Sequence, residues 1–508
     1  MINGEYPMNL ATMLEDNAVN FPDRPAIIYD ETTITFKRFN QDVSRAASAM
    51  MHLGLERGDH VALCAPNSYD WVVIYYAAVK AGAVAVTFSY LLKEDELNKI
   101  MDDCQARVLF TCDDKLAEFA GHRQKRSLAY VIGNQGDISF EALLEKGDAR
   151  FKAVNCDRHD TAAILYTGGT TGVPKGAMLS HQNLKSSIFN IAYYERCNIN
   201  DRALCFLPLN HVFGQIHILN STVYSCGATI LQPSFDLDNA VAAIEKYRVT
   251  KFYAVPTIYI RLLAVPDLRE KFKSIRYCFS AAASMAQEVV LEWKKRTGLD
   301  IFESYGMTES ATMVTYNDYY RHKVGSVGTP VNLVEITIRD GSGNILQQGE
   351  SGEICVRGPN ITKGYLNRTR ETQEAFWGDW YRTGDIGVFD DEGYLFIVDR
   401  LKDMIITGGE NVYSREVEEM LYTRPEVMEC AVVGLPDAEY GERVTAFIIP
   451  QAGRHIDGAV LKSFMRSRLA NFKIPKDFIE VKELPKSATG KLLKRQLRES
   501  YARQVEKA

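Results

Sequence analysis

Residues Tyr166 to Gly176 read Y-T-G-G-T-T-G-V-P-K-G, a density of glycine, threonine and lysine that suits a phosphate chain. Glycine lets backbone N–H groups close on an anion, while hydroxyls and an ammonium add donors and charge. An apolar run, Thr161 to Tyr166, precedes the loop and Gly176 to Leu179 follows it, so it is expected to bridge two strands. It is not a Walker P-loop, which needs Gly-Lys-Ser/Thr at the start of a helix; here Pro174 precedes Lys175 and Gly176 follows it. Taken alone, the same residues also fit a surface hairpin.

Four further segments carry chemistry: Ser304 to Glu309 (S-Y-G-M-T-E), Tyr381 to Asp385 (Y-R-T-G-D), Asp399 to Asn411 (D-R-L-K-D-M-I-I-T-G-G-E-N) and Pro485 to Lys491 (P-K-S-A-T-G-K). Tyr305 lies just beyond a predicted strand, where its ring can cover a base, and Glu309 follows within reach of a metal. Asp385 can accept from both hydroxyls of a ribose and Arg400 can donate to them. In isolation, these residues would serve equally as a strand-end turn and a structural ion pair.

Together, and in this order, the five segments resemble the signature of the adenylate-forming superfamily, which holds acyl-CoA synthetases, carrier-loading adenylation domains and firefly-type luciferases. The resemblance covers nearly the whole chain. It implies that a carboxylate is activated with ATP as an acyl-adenylate, with charge stabilised at the α-phosphorus and on the departing β/γ-phosphates by donors, lysines and Mg²⁺. It places Thr167, Gly168, Gly169, Thr170, Thr171, Gly172 and Lys175 around those phosphates, with Gly168 standing where the family usually has Ser. Tyr305, Gly306 and Met307 fall beside adenine, with Ala282 and Ala283 of the run Ala281 to Ala283 replacing a more glycine-rich stretch. Thr308 meets the α-phosphate, Glu309 binds Mg²⁺, and Asp385 and Arg400 hold the ribose. His211, in L-P-L-N-H-V-F-G, becomes a gate on the acyl channel, and Phe213 and Ser304 line the pocket. Ser304 replaces a common Gly. Lys402 becomes the hinge of a lid that presents Lys491 to the α-phosphate, and Gly408 and Gly409 to the pantetheine arm of coenzyme A.

These residues need rigid elements to hold them. Ala26 to Phe36 reads as two strands around Asp30 to Thr32, followed by a helix to Leu53. Strands His60–Cys64, Ala83–Phe88 and Arg107–Thr111 alternate with helices Tyr69–Lys80 and Glu94–Cys104. The alternation returns between Ala203 and Glu303 and predicts parallel sheets covered on both faces. From Gly325 to Val398 short strands with glycine turns take over. Beyond Asp403, the helices Arg415–Tyr422 and Gly458–Leu469 and two strands between them make a unit that is expected to end in loops. The expected fold is therefore α/β: an N-terminal domain (1–399) of two α/β subdomains plus a β-rich one, a hinge (400–403) and a small mobile α+β C-terminal domain (404–508).

Composition narrows the partners. Of the 508 residues, 46% are hydrophobic and 24% charged, and a net charge of −6 argues against nucleic acid. The basic cluster Lys486 to Arg498 reads as a solvated tail. Ten cysteines and nine histidines show no C-x-x-C or H-E-x-x-H, so no zinc site is legible, and reduced thiols point to the cytoplasm. The most apolar stretch, Trp71 to Leu92, is broken by Lys80 and Gly82, so no membrane span is expected. No secretory signal is visible in M-I-N-G-E-Y-P-M.

The expected reaction is AMP-forming ligation of a hydrophobic monocarboxylate to CoA, medium or long fatty acids first and aryl acids second, with ATP and Mg²⁺. Bulk at Ser304 and the alanine run favours a shorter or narrower acid within that range. A homodimer is compatible with the sequence. The alternatives are a carrier-protein-loading adenylation enzyme, for which no D-S-L or D-S-I attachment sequence is present, a non-catalytic nucleotide-binding regulator, and a luciferase-type oxygenase.

Overall fold

The computed structural model describes residues 8–123, 127–167, 174–283, 285–437, 439–486 and 492–505. Two large sheets dominate the N-terminal part. One has six strands, among them His60–Cys64, Val84–Thr87, Val108–Thr111 and the hairpin Thr161–Thr167/Lys175–Ser180; all neighbours are parallel except that hairpin. The other has seven, including Arg202–Cys205, Ala228–Leu231, Lys251–Ala254, Tyr277–Ser280 and Ile301–Glu303, again parallel. Several central strands, such as Val84–Thr87 and Tyr277–Ser280, are buried at every residue, as expected of parallel strands with helices on both faces. The hairpin Pro25–Tyr29/Thr32–Thr35 turns through Asp30 (φ 45°) and Glu31 (φ 62°). It joins the seven-stranded sheet, pairing Ile27 with Thr229, rather than the strands that follow it in the chain.

Helix Tyr69–Lys80 buries all its residues but Asp70. Ser68 caps it by accepting from the Trp71 N–H, and Lys80 ends it on Asn40 Oδ1 (2.7 Å), Ser44 Oγ (2.8 Å) and Glu15 Oε1 (3.0 Å). The β-rich expectation beyond Gly325 corresponds to a five-stranded antiparallel sheet that includes Glu335–Arg339, Gly352–Arg357, Trp380–Phe389 and Leu395–Arg400.

The smaller C-terminal domain has its own five-stranded sheet around Val427–Asp437 and Gly441–Pro450, with helices Ser414–Tyr422 and Gly458–Arg466. Its apolar residues, from Ile405 to Leu497, form clusters separate from the one that runs from Leu10 to Leu395. Two expectations fail here. The domain ends in a helix, Lys494–Val505, rather than in loops. The basic cluster is not a solvated tail: Lys486 pairs with Glu429 at 2.6 Å, and half-buried Lys494 pairs with Glu418 at 2.7 Å. Alternating basic residues look solvated in sequence when their carboxylate partners lie 57 to 76 positions away.

Candidate active site

The hairpin Thr161–Thr167/Lys175–Ser180 pairs Thr167 with Lys175, so both ends of the glycine loop are fixed by a ladder. Gly168, Gly169, Thr170, Thr171 and Gly172 lie outside the described residues. Gly176 is required by packing, since a Cβ there would stand 2.7 Å from Ile164 and 3.0 Å from Tyr166. The Lys175 ammonium sits 5.4 Å from the centre of the Tyr365 ring.

Tyr365, which the sequence did not single out, ties this lysine to the candidate metal carboxylate. Its hydroxyl donates to Glu309 Oε1 (2.7 Å) and lies 3.1 Å from the Tyr381 hydroxyl. Burial, then the Glu309 charge, pushes the Tyr365 phenol far above its ordinary range, so it stays a donor. The turn Thr308–Ser310 carries Glu309, which is half-buried and whose carbonyl accepts from the Thr362 N–H at 2.6 Å. Among the described residues no group of three or more His, Cys, Asp and Glu is arranged to hold a metal ion. One carboxylate beside a phosphate site suits Mg²⁺, which is bound by one or two carboxylates plus substrate phosphates rather than by an all-protein cage.

Tyr305 is buried, its N–H donating to Thr315 Oγ1 (3.1 Å) and its hydroxyl to Asp385 Oδ2 (2.5 Å). Asp385 and Arg400 face each other across antiparallel strands, with Nε 3.5 Å from Oδ1. Burial pushes the Asp385 carboxyl up, and Arg400 and Tyr305 oppose that. Gly306 pairs with Met313 so closely that a Cβ would lie 1.7 Å from the Thr312 carbonyl oxygen. Ala282 adopts φ 73°, a left-handed conformation that favours glycine and costs an alanine roughly 1–2 kcal/mol. Ala283, next in the chain, is exposed, and Met307 is half-buried. Thr308 is buried.

His211 Nδ1 accepts from the Phe213 N–H at 3.2 Å, and burial pushes the imidazole down to about 4. The ring is therefore neutral near pH 7. Phe213 opens a π-helical segment, Phe213–Asn220, which the sequence reading did not anticipate. His211, Phe213, Leu207, Pro208, Gly214 and Val255 enclose a cavity of about 10 Å³, room for a single water. Ser304 is buried, with Oγ 2.8 Å from Met313 Sδ. The neighbouring Glu303 is also buried, which pushes its carboxyl up to about 7 against the charge of Arg415.

In the C-terminal domain, Gly408 (φ 60°) donates its N–H to the Tyr440 carbonyl (2.8 Å), and Gly409 (φ 85°) faces open space. Lys402 is exposed, and its carbonyl accepts from Arg498 Nη2 at 3.4 Å. Next to it, Asp399 Oδ2 accepts from Ser414 Oγ (2.7 Å), and Ser414 Oγ accepts from Lys494 Nζ (2.7 Å). Lys491 lies outside the described residues. The structure thus gathers Lys175, Thr308, Glu309, Tyr305, Asp385 and Arg400 around one region, with His211, Phe213 and Ser304 in the neighbouring wall.

The profile of the AMP-binding enzyme family matches residues 14–366, and that of the AMP-binding enzyme C-terminal domain matches 416–491. The chain belongs to the AMP-binding enzyme family. It is 34% identical to a long-chain-fatty-acid–CoA ligase of Bacillus subtilis (strain 168), over 96% of this chain and 94% of the relative. It is equally close to a feruloyl-CoA synthase of Amycolatopsis, at 34% over 98% and 99%. Among solved structures, ATP-bound MatB from Rhodopseudomonas palustris has a TM-score of 0.93 at 34% identity, covering 98% of this chain and 99% of that one. Its apo form, at the same identity and coverage, gives 0.82. This AMP-binding enzyme is accordingly of the AMP-forming acid–CoA ligase type, a group whose members take different acids. Its fold is the one that the resemblance implied, and no described helix is long and apolar enough to cross a membrane.

Proposed function

We propose that this AMP-binding enzyme joins a hydrophobic monocarboxylate to CoA in two half-reactions. A carboxylate oxygen attacks the α-phosphorus of ATP and pyrophosphate leaves; the CoA thiolate then attacks the acyl carbon and AMP leaves. Lys175 and the glycine loop hold the β/γ-phosphates, Thr308 the α-phosphate, and Asp385 with Arg400 the ribose. Glu309 would hold Mg²⁺, whose contribution is neutralising charge on the phosphates. Neutral His211 orients and shields rather than transferring a proton. Lys491 serves the first half-reaction and the Gly408–Gly409 backbone the second, with residues 400–403 as the hinge between domains 1–399 and 404–508. The separate apolar clusters support that division, and the higher score with ATP-bound MatB supports a lid standing in the nucleotide-loaded arrangement. Ten free thiols support the cytoplasm.

The observation that carries the acid class is the wall beside His211: Leu207, Pro208, Phe213 and Val255 present an apolar surface to the small cavity. Fatty and aryl acids both suit such a wall, and the relatives named above include a ligase for each. The test is incubation with ATP, Mg²⁺ and a panel of fatty and aryl acids, with either CoA or a holo-carrier protein as acceptor. AMP release with CoA thioester as product is expected; acyl transfer to the carrier alone would overturn the reading.

A further inference from the structure

On one face of the seven-stranded sheet, Lys251, Tyr253 and Val255 follow at two-residue spacing, and Tyr277, Phe279 and Ala281 do the same on the neighbouring strand. The segment Phe213–Asn220 lies over this face. Its Phe213 ring is 5.8 Å from Phe279, and its His217 ring is 4.4 Å from Phe279, 5.4 Å from Tyr253 and 5.2 Å from Phe213. The interior is therefore layered. The outer layer is Val255, Ala281 and Phe213, of which Val255 and Phe213 line the small cavity beside His211. The second is Tyr253, Phe279 and His217, and the third Lys251, Tyr277 and Glu195, where Lys251 Nζ stands 5.2 Å from the Tyr277 ring and 3.1 Å from Glu195 Oε2.

His217 is fully buried and held from below. Its Nε2 lies 2.6 Å from Glu195 Oε1, and the same carboxylate accepts from Tyr253 (2.6 Å), Tyr316 (3.1 Å) and Lys251. Burial alone would raise the Glu195 carboxyl, but Lys251 and His217 hold it down at about 2. A leucine or phenylalanine in this place could turn aside for a longer ligand. His217 cannot do so without stripping a donor from a buried charge, which is strongly unfavourable. Arg276 and Lys251 balance Asp201 and Glu195, so the network presents no spare cation for a second substrate carboxylate.

We infer that His217, anchored by Glu195, is the fixed floor of the acid pocket and restricts the enzyme to compact monocarboxylates, short acyl chains or single rings. This rests on the proposed acid–CoA ligase reading and narrows it, setting aside the medium and long chains that the sequence ranked first. Two strand residues span about 6.6 Å, so an acyl chain that turns the Phe213 ring aside meets the imidazole after roughly five chain atoms beyond the carboxylate.

The test is a homologous series from propanoate to hexadecanoate, plus benzoate, with the full chain, ATP, Mg²⁺ and CoA, reading AMP release as kcat/KM. The expected profile rises to about six carbons and falls at least tenfold by octanoate, with benzoate retained. Octanoate to hexadecanoate performing as well as the short acids would overturn the floor while leaving the ligase reading intact; AMP release with no acid of the series would overturn both. Glu195→Gln removes the charge that holds the imidazole without opening space, weakens the tether and should move the fall-off to longer acids. An unchanged profile in a variant whose Tm shows it folded would remove the His217–Glu195 pair as the length determinant. Where Glu195→Gln fails to fold, the wild-type series decides alone.

Discussion

The hydroxyl of Tyr305 stands 2.5 Å from Asp385 Oδ2, so the residue proposed to cover adenine also holds the residue proposed to bind the ribose. The two come from segments 80 positions apart. Arg400 reaches the other oxygen of the same carboxylate. On the proposed roles of these residues, base and sugar recognition would form one hydrogen-bonded unit, and a change at either residue should be felt at both.

Asp385→Ala is expected to raise the KM for ATP and lower adenylation, since losing one partner of a charged hydrogen-bonded set costs roughly 2 to 5 kcal/mol. Tyr305→Phe should show a smaller loss of the same kind. The check is discrimination between ATP and 2′-deoxy-ATP, which should collapse in Asp385→Ala; equal discrimination by wild type and variant would refute the ribose assignment.

Tyr365→Phe keeps the ring under Lys175 and removes the donor to Glu309. A freed, more mobile carboxylate should hold Mg²⁺ less well, by about 1.5 kcal/mol or roughly tenfold. Titrating Mg²⁺ at saturating ATP measures it. A raised requirement for acid instead of Mg²⁺ would place Tyr365 in the wrong part of the site.

Glu303→Gln should reshape the pH dependence of stability. Folding raises this carboxyl from its ordinary 4.5 to about 7. A raised acid is disfavoured in its charged form, so the wild type loses stability as pH climbs through that window. The shift sets an upper bound of about 3 kcal/mol at pH 8. The neutral variant should therefore melt higher than wild type at pH 8 and closer to it at pH 4.5. Parallel Tm curves for the two proteins would contradict the raised carboxyl.

The two half-reactions should separate by mutation. Lys491→Ala is expected to lower acyl-adenylate formation by about 10²- to 10³-fold, yet still convert supplied acyl-adenylate and CoA to thioester. Gly409→Leu should do the reverse: its backbone is left-handed at φ 85°, and its side chain would project into the open space proposed to admit the pantetheine arm. Lys402→Pro, by stiffening the hinge, should spare adenylation and impair thioester formation. Single-turnover assays of each half decide, and equal losses in both halves for Lys491→Ala would refute a lid with two working positions.

Local pattern determined the elements. Period-two and period-3.6 spacing placed His60–Cys64, Tyr69–Lys80, Glu94–Cys104 and Ile301–Glu303 at their observed bounds, because each is built from contacts a few residues apart. The glycine loop declared itself as a strand-to-strand connection for the same reason, and the five ordered motifs carried the family. Tertiary structure decided what depends on distant partners. The hairpin at Pro25 pairs with a strand 200 residues on, because only the folded chain offers it a sheet edge. Tyr365 looks like one aromatic in a glycine turn until Glu309 and Lys175 arrive beside it. Lys494 passes for a solvated charge until Glu418 and Ser414 enclose it. His217 is one histidine inside an apolar run in the sequence, and its imidazole is fixed only when Glu195, from the end of another helix, meets it in a place from which water is excluded. A charge or hydroxyl is marked in the sequence by type alone, whereas its burial and its partner, which set its energy and its use, are properties of the packed chain.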